Sequence, residues 1–301
     1  MEEKIFQYPN INETAFSINL LGFHLNVQWY GLSYIAGILF AWFLMVRLVE
    51  KKNLWFASKS IIERGEVDDL ITYMILGIIV GGRLGYCLFY APSYYFDNPI
   101  RTIYIWEGGM SFHGGFLGVL ISGILFGLRK KISILSLGDL IAFASPPGLF
   151  FGRIANFING ELWGKPTTST FGIQFTKGPG QFCPNPNEIP CFRHPSQLYE
   201  ALFEGIILML IFYYLVFVSR ALKKPGIIFG SFLLGYGVIR FAIEFLREPD
   251  AFFITNKNPY GYAVELFPGI GISMGQLLTA PMIISGLLMI ILVIRQNLDA
   301  N

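Results

Sequence analysis

An arginine at position 153 closes an apolar run from Leu140 to Phe151 that is interrupted only by Pro146-Pro147. It belongs to the stretch Gly152-Arg153-Ile154-Ala155-Asn156-Phe157-Ile158-Asn159-Gly160-Glu161-Leu162-Trp163-Gly164. A guanidinium placed in hydrocarbon costs about 2.5 kcal/mol or more, so an arginine here marks a functional site unless it snorkels to the surface. Helical spacing puts Arg153 and Asn156 on one face, and Gly160 and Gly164 predict a turn out of the helix. A second polar stripe is formed by Tyr236, Arg240, Glu244 and Arg247, spaced 4, 4 and 3. Arg240 and Glu244 can pair at i, i+4, which lowers the cost of keeping both in a membrane. A purely structural ion pair would explain that stripe alone. Two arginines on separate apolar segments point instead to an anionic ligand, because guanidinium forks match phosphate geometry.

Other groups fall near the same ends of the apolar segments. Trp29-Tyr30-Gly31 opens the first of them, and Gly81-Gly82-Arg83-Leu84-Gly85 lies in the second. Glycine-mediated helix packing accounts for the latter as well as ligand contact by Arg83 does. Ser111-Phe112-His113-Gly114-Gly115 places a histidine between small residues that leave room for a substrate, whereas His24 lacks such a setting. In His194-Pro195-Ser196-Gln197-Leu198-Tyr199-Glu200, Pro195 suits the first helical position. Gln197, Glu200 and Glu204 then share a face, best read as a hydrogen-bond network tying helices together.

The elements that carry these groups must be membrane helices. The 301 residues are 53% hydrophobic and 14% charged, with a mean hydropathy of +0.54, which is not a water-soluble composition. Candidate spans fall at 28–47, 68–90, 111–128, 137–158, 197–218, 226–246 and 274–294, each suited to a bilayer. The expected fold is an all-α polytopic membrane protein with about seven transmembrane helices and ordered extracytoplasmic loops or arms. Residues 1–301 form one domain. Residues 13–27 alternate like a surface strand or interfacial segment. Of 22 basic residues, twelve lie in the connections after the first, third and fifth spans and at the C-terminus, and seven in the longer opposite loops. The first set marks the cytoplasm, so the N-terminus is expected outside and the C-terminus inside. Arg83, Arg153 and Arg240 are the three this rule leaves over. Met1 to Asn12 carries Glu2, Glu3 and Lys4 and does not read as a cleavable signal, so the first span is expected to direct insertion. Cys183 and Cys191 share a polar loop and could pair in an oxidising compartment, while Cys87 reads as a core residue. No basic patch interleaved with surface aromatics suggests nucleic acid, and no cysteine–histidine spacing supports a metal.

Taken together, the blocks from Trp29-Tyr30-Gly31 through Ser273-Met274-Gly275-Gln276, with the 152–164 stretch at their centre, resemble the prolipoprotein diacylglyceryl transferase family. The similarity covers nearly the whole chain. It departs in the loop 165–193 and in the N-terminal extension. The resemblance implies transfer of the diacylglyceryl group of phosphatidylglycerol to the lipobox cysteine of prolipoprotein signal peptides at the outer leaflet of the bacterial inner membrane. A thioether forms, glycerol 1-phosphate leaves, and no cofactor is required. It implies catalytic His113, Arg153 and Arg240, with Tyr30, Asn156 and Tyr236 completing the substrate site. Arg83, Asn159, Glu161, Gly164, His194 and Glu244 are the supporting residues, with Glu161 and Glu244 expected to hold the arginines. His113 or Glu161 takes the thiol proton. The competing class is a transporter of an anionic lipid or small anion, since intramembrane arginines also line transport routes.

Overall fold

The computed structural model describes residues 6–9, 11–20, 23–183, 190–249, 253–255, 258–267 and 269–299. The side chains of Phe112 and His113 lie outside the description, as do Lys4, Asp250 and Lys257. Helices dominate: α1 (Trp29–Glu50), α2 (Arg64–Phe89), a short α3 (Pro92–Asp97), α4 (Phe112–Lys130), α5 (Ile134–Ala144) and α6 (Pro146–Asn159). Then come α7 (Ser196–Glu200), which runs through a π-helical turn (Ala201–Ile207) into α8 (Leu208–Phe217), followed by α9 (Ile227–Ile243) and α10 (Met274–Asp299).

Among the described residues, four helical runs are long and apolar enough to cross a membrane: α1, α2, Ser196–Phe217 and Met274–Gln296. The segment expected as one span over 137–158 is instead two helices, α5 and α6, bent by 40° at their junction. Pro146 and Pro147 there supply no N–H to the preceding turn, and the Ser145 hydroxyl donates back to the Ile141 carbonyl at 2.7 Å. Together they make a fifth candidate span. α9 stops at Ile243, short of the expected 246, so Arg247 leaves the helical stripe. Leu39, Leu76, Ile284 and Leu292 all point outward from these helices, as suits lipid contact.

The all-α expectation needs correction, because short strands lie before α1 and between later helices. β1 (Phe6–Gln7) runs parallel to β4 (Ile173–Gln174), which pairs antiparallel with β5 (Phe192–Arg193). Across the segment 13–27, which reads from its alternation as a surface strand or interfacial segment, β2 (Thr14–Leu20) and β3 (Phe23–Gln28) pair antiparallel as a hairpin. β6 (Val264–Phe267) and β7 (Ile270–Ile272) form another. Cys183 and Cys191 are joined by a disulfide, and Cys87 is free and buried.

Two packing features hold the helices in place. Away from the arginines, a core around Met45, Trp55, Phe126, Leu137, Phe143 and Phe212 is almost wholly buried, and the Trp55 indole donates to the Leu48 carbonyl at 2.9 Å. α2 and α4 meet through glycine: a Cβ at Gly81 would lie 2.3 Å from the Gly114 carbonyl oxygen, and one at Gly118 would lie 1.9 Å from that of Gly77. Without side chains the backbones touch directly. The same contact places Arg83, which is buried and donates to the main-chain carbonyls of Arg101 (2.6 Å), Thr102 (2.8 Å), Gly108 and Gly109 (3.3 Å). Arg83 therefore anchors the connection between α3 and α4.

Replacing Gly81 by valine should lower the thermal unfolding midpoint of the purified protein, since overpacking typically costs about 1–3 kcal/mol. Gly65→Ala, where a Cβ meets nothing within 4 Å, should leave the midpoint unchanged or raise it.

Candidate functional site

The site is built where α6, the π turn and α9 converge. Arg153 projects from α6 and is held from behind by two carboxylates of the next helical run. Its Nη1 lies 3.0 Å from Glu200 Oε2, and its Nη2 and Nε each lie 3.1 Å from Glu204 Oε2. Glu200 ends α7 and Glu204 sits in the π turn, a widened helical geometry that recurs at functional sites. Gly205 lets α6 approach this turn: a Cβ there would fall 2.6 Å from the Phe150 Cβ.

Arg240 enters from α9 and donates to Glu200 Oε1, while its Nη2 pairs with Glu244 Oε2 at 2.7 Å. Arg247 Nη1 reaches the same Glu200 oxygen at 3.3 Å. Glu244 accepts from the Ser273 hydroxyl at 3.0 Å and lies flat on Gly275, where a Cβ would sit 2.5 Å from the carboxylate. A single buried carboxylate, Glu200, thus bridges the two arginines picked out from the sequence. The exposures give the cluster a direction. Glu200 and Glu204 side chains are 0% exposed, whereas Arg153 and Arg240 keep 16% and 12%. Glu200 and Glu204 form a sealed floor, and the arginine side chains keep a small exposure.

Beside this floor stands a second group. Tyr30, at the start of α1, donates to Glu161 Oε1, and the Asn156 amide donates to the Tyr30 oxygen and, at 3.1 Å, to Glu161 Oε1. Tyr30 also stacks on Tyr34, with centroids 5.9 Å apart. Arg153 is close enough to Tyr30 to interact electrostatically, and Tyr236 interacts in the same way with Arg153, Arg240, Glu200 and Glu204. The structure therefore gathers Tyr30, Arg153, Asn156, Glu161, Tyr236, Arg240 and Glu244 into one region.

One sequence expectation needs revision, and two further arginines find their places. Glu161 does not hold an arginine: its carboxylate is taken by Tyr30 and Asn156, and Glu200 with Glu204 supply the counter-charge for Arg153. Arg83 binds loop carbonyls, and none of its hydrogen bonds reaches the cluster. Arg193, read only as a loop charge, is buried and donates to the carbonyls of Gly164 (3.1 Å), Gly180 (2.9 Å) and Phe182 (2.8 Å), and to Glu248 (3.2 Å). No local spacing could have revealed it, because its partners come from three separate loops. The glutamates were visible as a shared helix face, but not their partners across the bundle.

The remaining candidates frame the region. Gly164 is obligatory in size, since a Cβ would stand 2.6 Å from His194 Cβ, from the His194 carbonyl and from that of Leu246. His194 Nδ1 faces the Tyr199 hydroxyl at 3.3 Å, and burial pushes its imidazole below the usual histidine range. Asn159 Oδ1 is buried with no protein partner among the described residues. His113 lies in the first turn of α4, and its side chain is outside the described residues. His24 is exposed. Among the described residues no group of three His, Cys, Asp or Glu is disposed to hold a metal ion.

The chain matches the family model described as prolipoprotein diacylglyceryl transferase over residues 16–292. It is 50% identical over 280 residues, covering 93% of this chain and 95% of the relative, to a phosphatidylglycerol--prolipoprotein diacylglyceryl transferase of Cereibacter sphaeroides. Proteins of the same name from Roseobacter denitrificans (47% over 283 residues, 94% of this chain and 96% of the relative) and Rickettsia felis (47% over 279 residues, 93% and 95%) are similar to it. Extended over nearly the full length of each partner, this similarity places the chain in the prolipoprotein diacylglyceryl transferase family.

Proposed function

We propose that this bacterial multi-pass membrane protein is a phosphatidylglycerol--prolipoprotein diacylglyceryl transferase acting on the lipobox cysteine of prolipoprotein signal peptides. The observation that carries the reading is the convergence of Arg153 and Arg240 on the buried Glu200. In the reaction, the bond between the diacylglyceryl C3 carbon and the phosphate oxygen breaks as the sulfur–carbon bond forms. The thiol proton passes to a base, and glycerol 1-phosphate leaves. The phosphate changes from a diester with one negative charge to a monoester that gains another. Two guanidinium groups already oriented by buried carboxylates stabilise that added charge without reorganising. Asn156 and Tyr236 bind the headgroup beside them, and Tyr30 orients Glu161. A free thiol, with a pKa of about 8.5, is mostly protonated near neutrality, so a base accelerates the attack. In this reading either His113 or Glu161 is that base. The enzyme's own cysteines take no part, because the substrate brings the sulfur.

The whole chain acts as one membrane domain of seven spans, α4 and α9 joining the five candidates described above. The basic connections face the cytoplasm, which puts the arginine site toward the outer leaflet and the N-terminus outside. The Cys183–Cys191 disulfide supports that orientation, since such bonds persist in oxidising compartments.

Purified protein incubated with phosphatidylglycerol and a lipobox peptide should yield thioether-linked peptide and glycerol phosphate; a transporter would yield neither. Arg240→Ala should cut kcat by roughly 10²–10³ while lipid binding survives, and unchanged turnover in a normally folded variant would remove Arg240 from the mechanism. His113→Gln with a full rate at neutral pH would exclude an obligatory histidine base, whereas activity recovered only at high pH would support one. Cys191→Ser should leave Cys183 reactive to a membrane-impermeant maleimide in intact spheroplasts; protection there, with labelling only after lysis, would reverse the orientation.

A further inference from the structure

Glu161 begins the four-residue turn by which the chain leaves α6. Every carbonyl of that turn is occupied. The Glu161 oxygen accepts from the Gln197 amide, that of Leu162 from the Ser196 hydroxyl at 2.8 Å, that of Trp163 from the Glu248 N–H at 3.3 Å, and that of Gly164 from Arg193 at 3.1 Å. The Gly164 N–H in turn donates to the His194 carbonyl at 2.8 Å. Four of these five bonds come from the short segment 193–197. The backbone they hold is not relaxed: Leu162 has φ +57°, a left-handed conformation that a residue with a Cβ adopts at a cost. Such strain persists only where surrounding contacts over-determine the chain. The Glu161 N–H also bonds to the Asn156 carbonyl at 3.1 Å, so the turn fixes the reach of the Glu161 carboxylate toward Tyr30. Ser196 and Gln197 are fully buried and make these bonds from beneath the turn.

We propose that Ser196 and Gln197 are positioning residues for the transfer. They clamp the strained turn so that the Glu161 carboxylate stays beside Tyr30 and Asn156, next to the arginine pair. This rests on the transferase reading above, in which Glu161 belongs to the reacting site. Neither residue reaches substrate, and each acts through the Glu161–Leu162 peptides.

The test is a kinetic comparison in detergent with phosphatidylglycerol and a lipobox peptide. Gln197→Leu should lower kcat roughly 10-fold, and Ser196→Ala roughly threefold, with KM for phosphatidylglycerol unchanged, because the loss is of orientation rather than binding. Introducing Leu162→Gly into the Gln197→Leu variant should recover at least about threefold in kcat, since glycine adopts a positive φ freely and the turn no longer needs forcing. If Gln197→Leu does not fold, Ser196→Ala carries the same comparison with the same rescue. Wild-type kcat in both folded variants would overturn the clamp, as would a parallel fall in kcat, lipid affinity and unfolding midpoint that Leu162→Gly leaves untouched. A wild-type chain that forms no thioether would instead overturn the transferase reading itself.

Discussion

One carboxylate organises the interior of this protein. Glu200 lies at the end of α7, entirely removed from solvent, and is shared by Arg153 of α6, Arg240 of α9 and Arg247 just beyond it. Removing one member of such a network leaves an uncompensated charge in a medium of low dielectric, a loss of about 3–5 kcal/mol. The geometry around Glu200 therefore dictates much else. The π turn is needed to present Glu204 to Arg153, Gly205 is needed to let α6 come close, and Gly275 is needed to leave room for Glu244. Each of these exceptions to regular helix structure follows from the demand that three guanidinium groups meet three carboxylates.

That arrangement also bears on the proposed binding of a phosphate by Arg153 and Arg240. The cluster is balanced in charge, so it is tolerable in a membrane without ligand. It is not symmetric, because the Glu200 and Glu204 side chains are sealed while those of Arg153 and Arg240 keep a small exposure. The Tyr30–Asn156–Glu161 group adds hydrogen-bonding capacity beside the arginines, and its orientation descends from the turn after α6.

How much of this was legible beforehand depends on how local each feature is. The apolar runs were readable because bilayer thickness sets their length, and the strand character within 13–27 because alternation marks a strand, though not its pairing into a hairpin. Arg240–Glu244 was readable because both ends lie one turn apart on the same helix. Arg153 stood out as a charge in an apolar run, yet its partners were misassigned to nearby Glu161. Glu200 and Glu204 are brought to it by tertiary packing, across 47 and 51 residues. The break between α5 and α6 was announced by Pro146-Pro147 but read through as one continuous helix. The π turn carries no side-chain signature, and the buried Arg193 is defined by carbonyls, which sequence does not display.

The division of charge among the helices has a consequence for biogenesis. α6 brings only the positive member of the cluster, and the run from α7 into α8 brings only the negative ones. Neither is comfortable in lipid alone, because each would strand unpaired charge in hydrocarbon. They are consecutive in the chain, separated by the loop and strands 160–195, so each emerges from the insertion machinery with its counterpart next in line. Insertion of this pair is thereby coupled: Arg153 becomes stable in the bilayer only as Glu200 and Glu204 arrive. The arginine–carboxylate cluster then acts as the latch that tells two adjacent spans they have met the right neighbour.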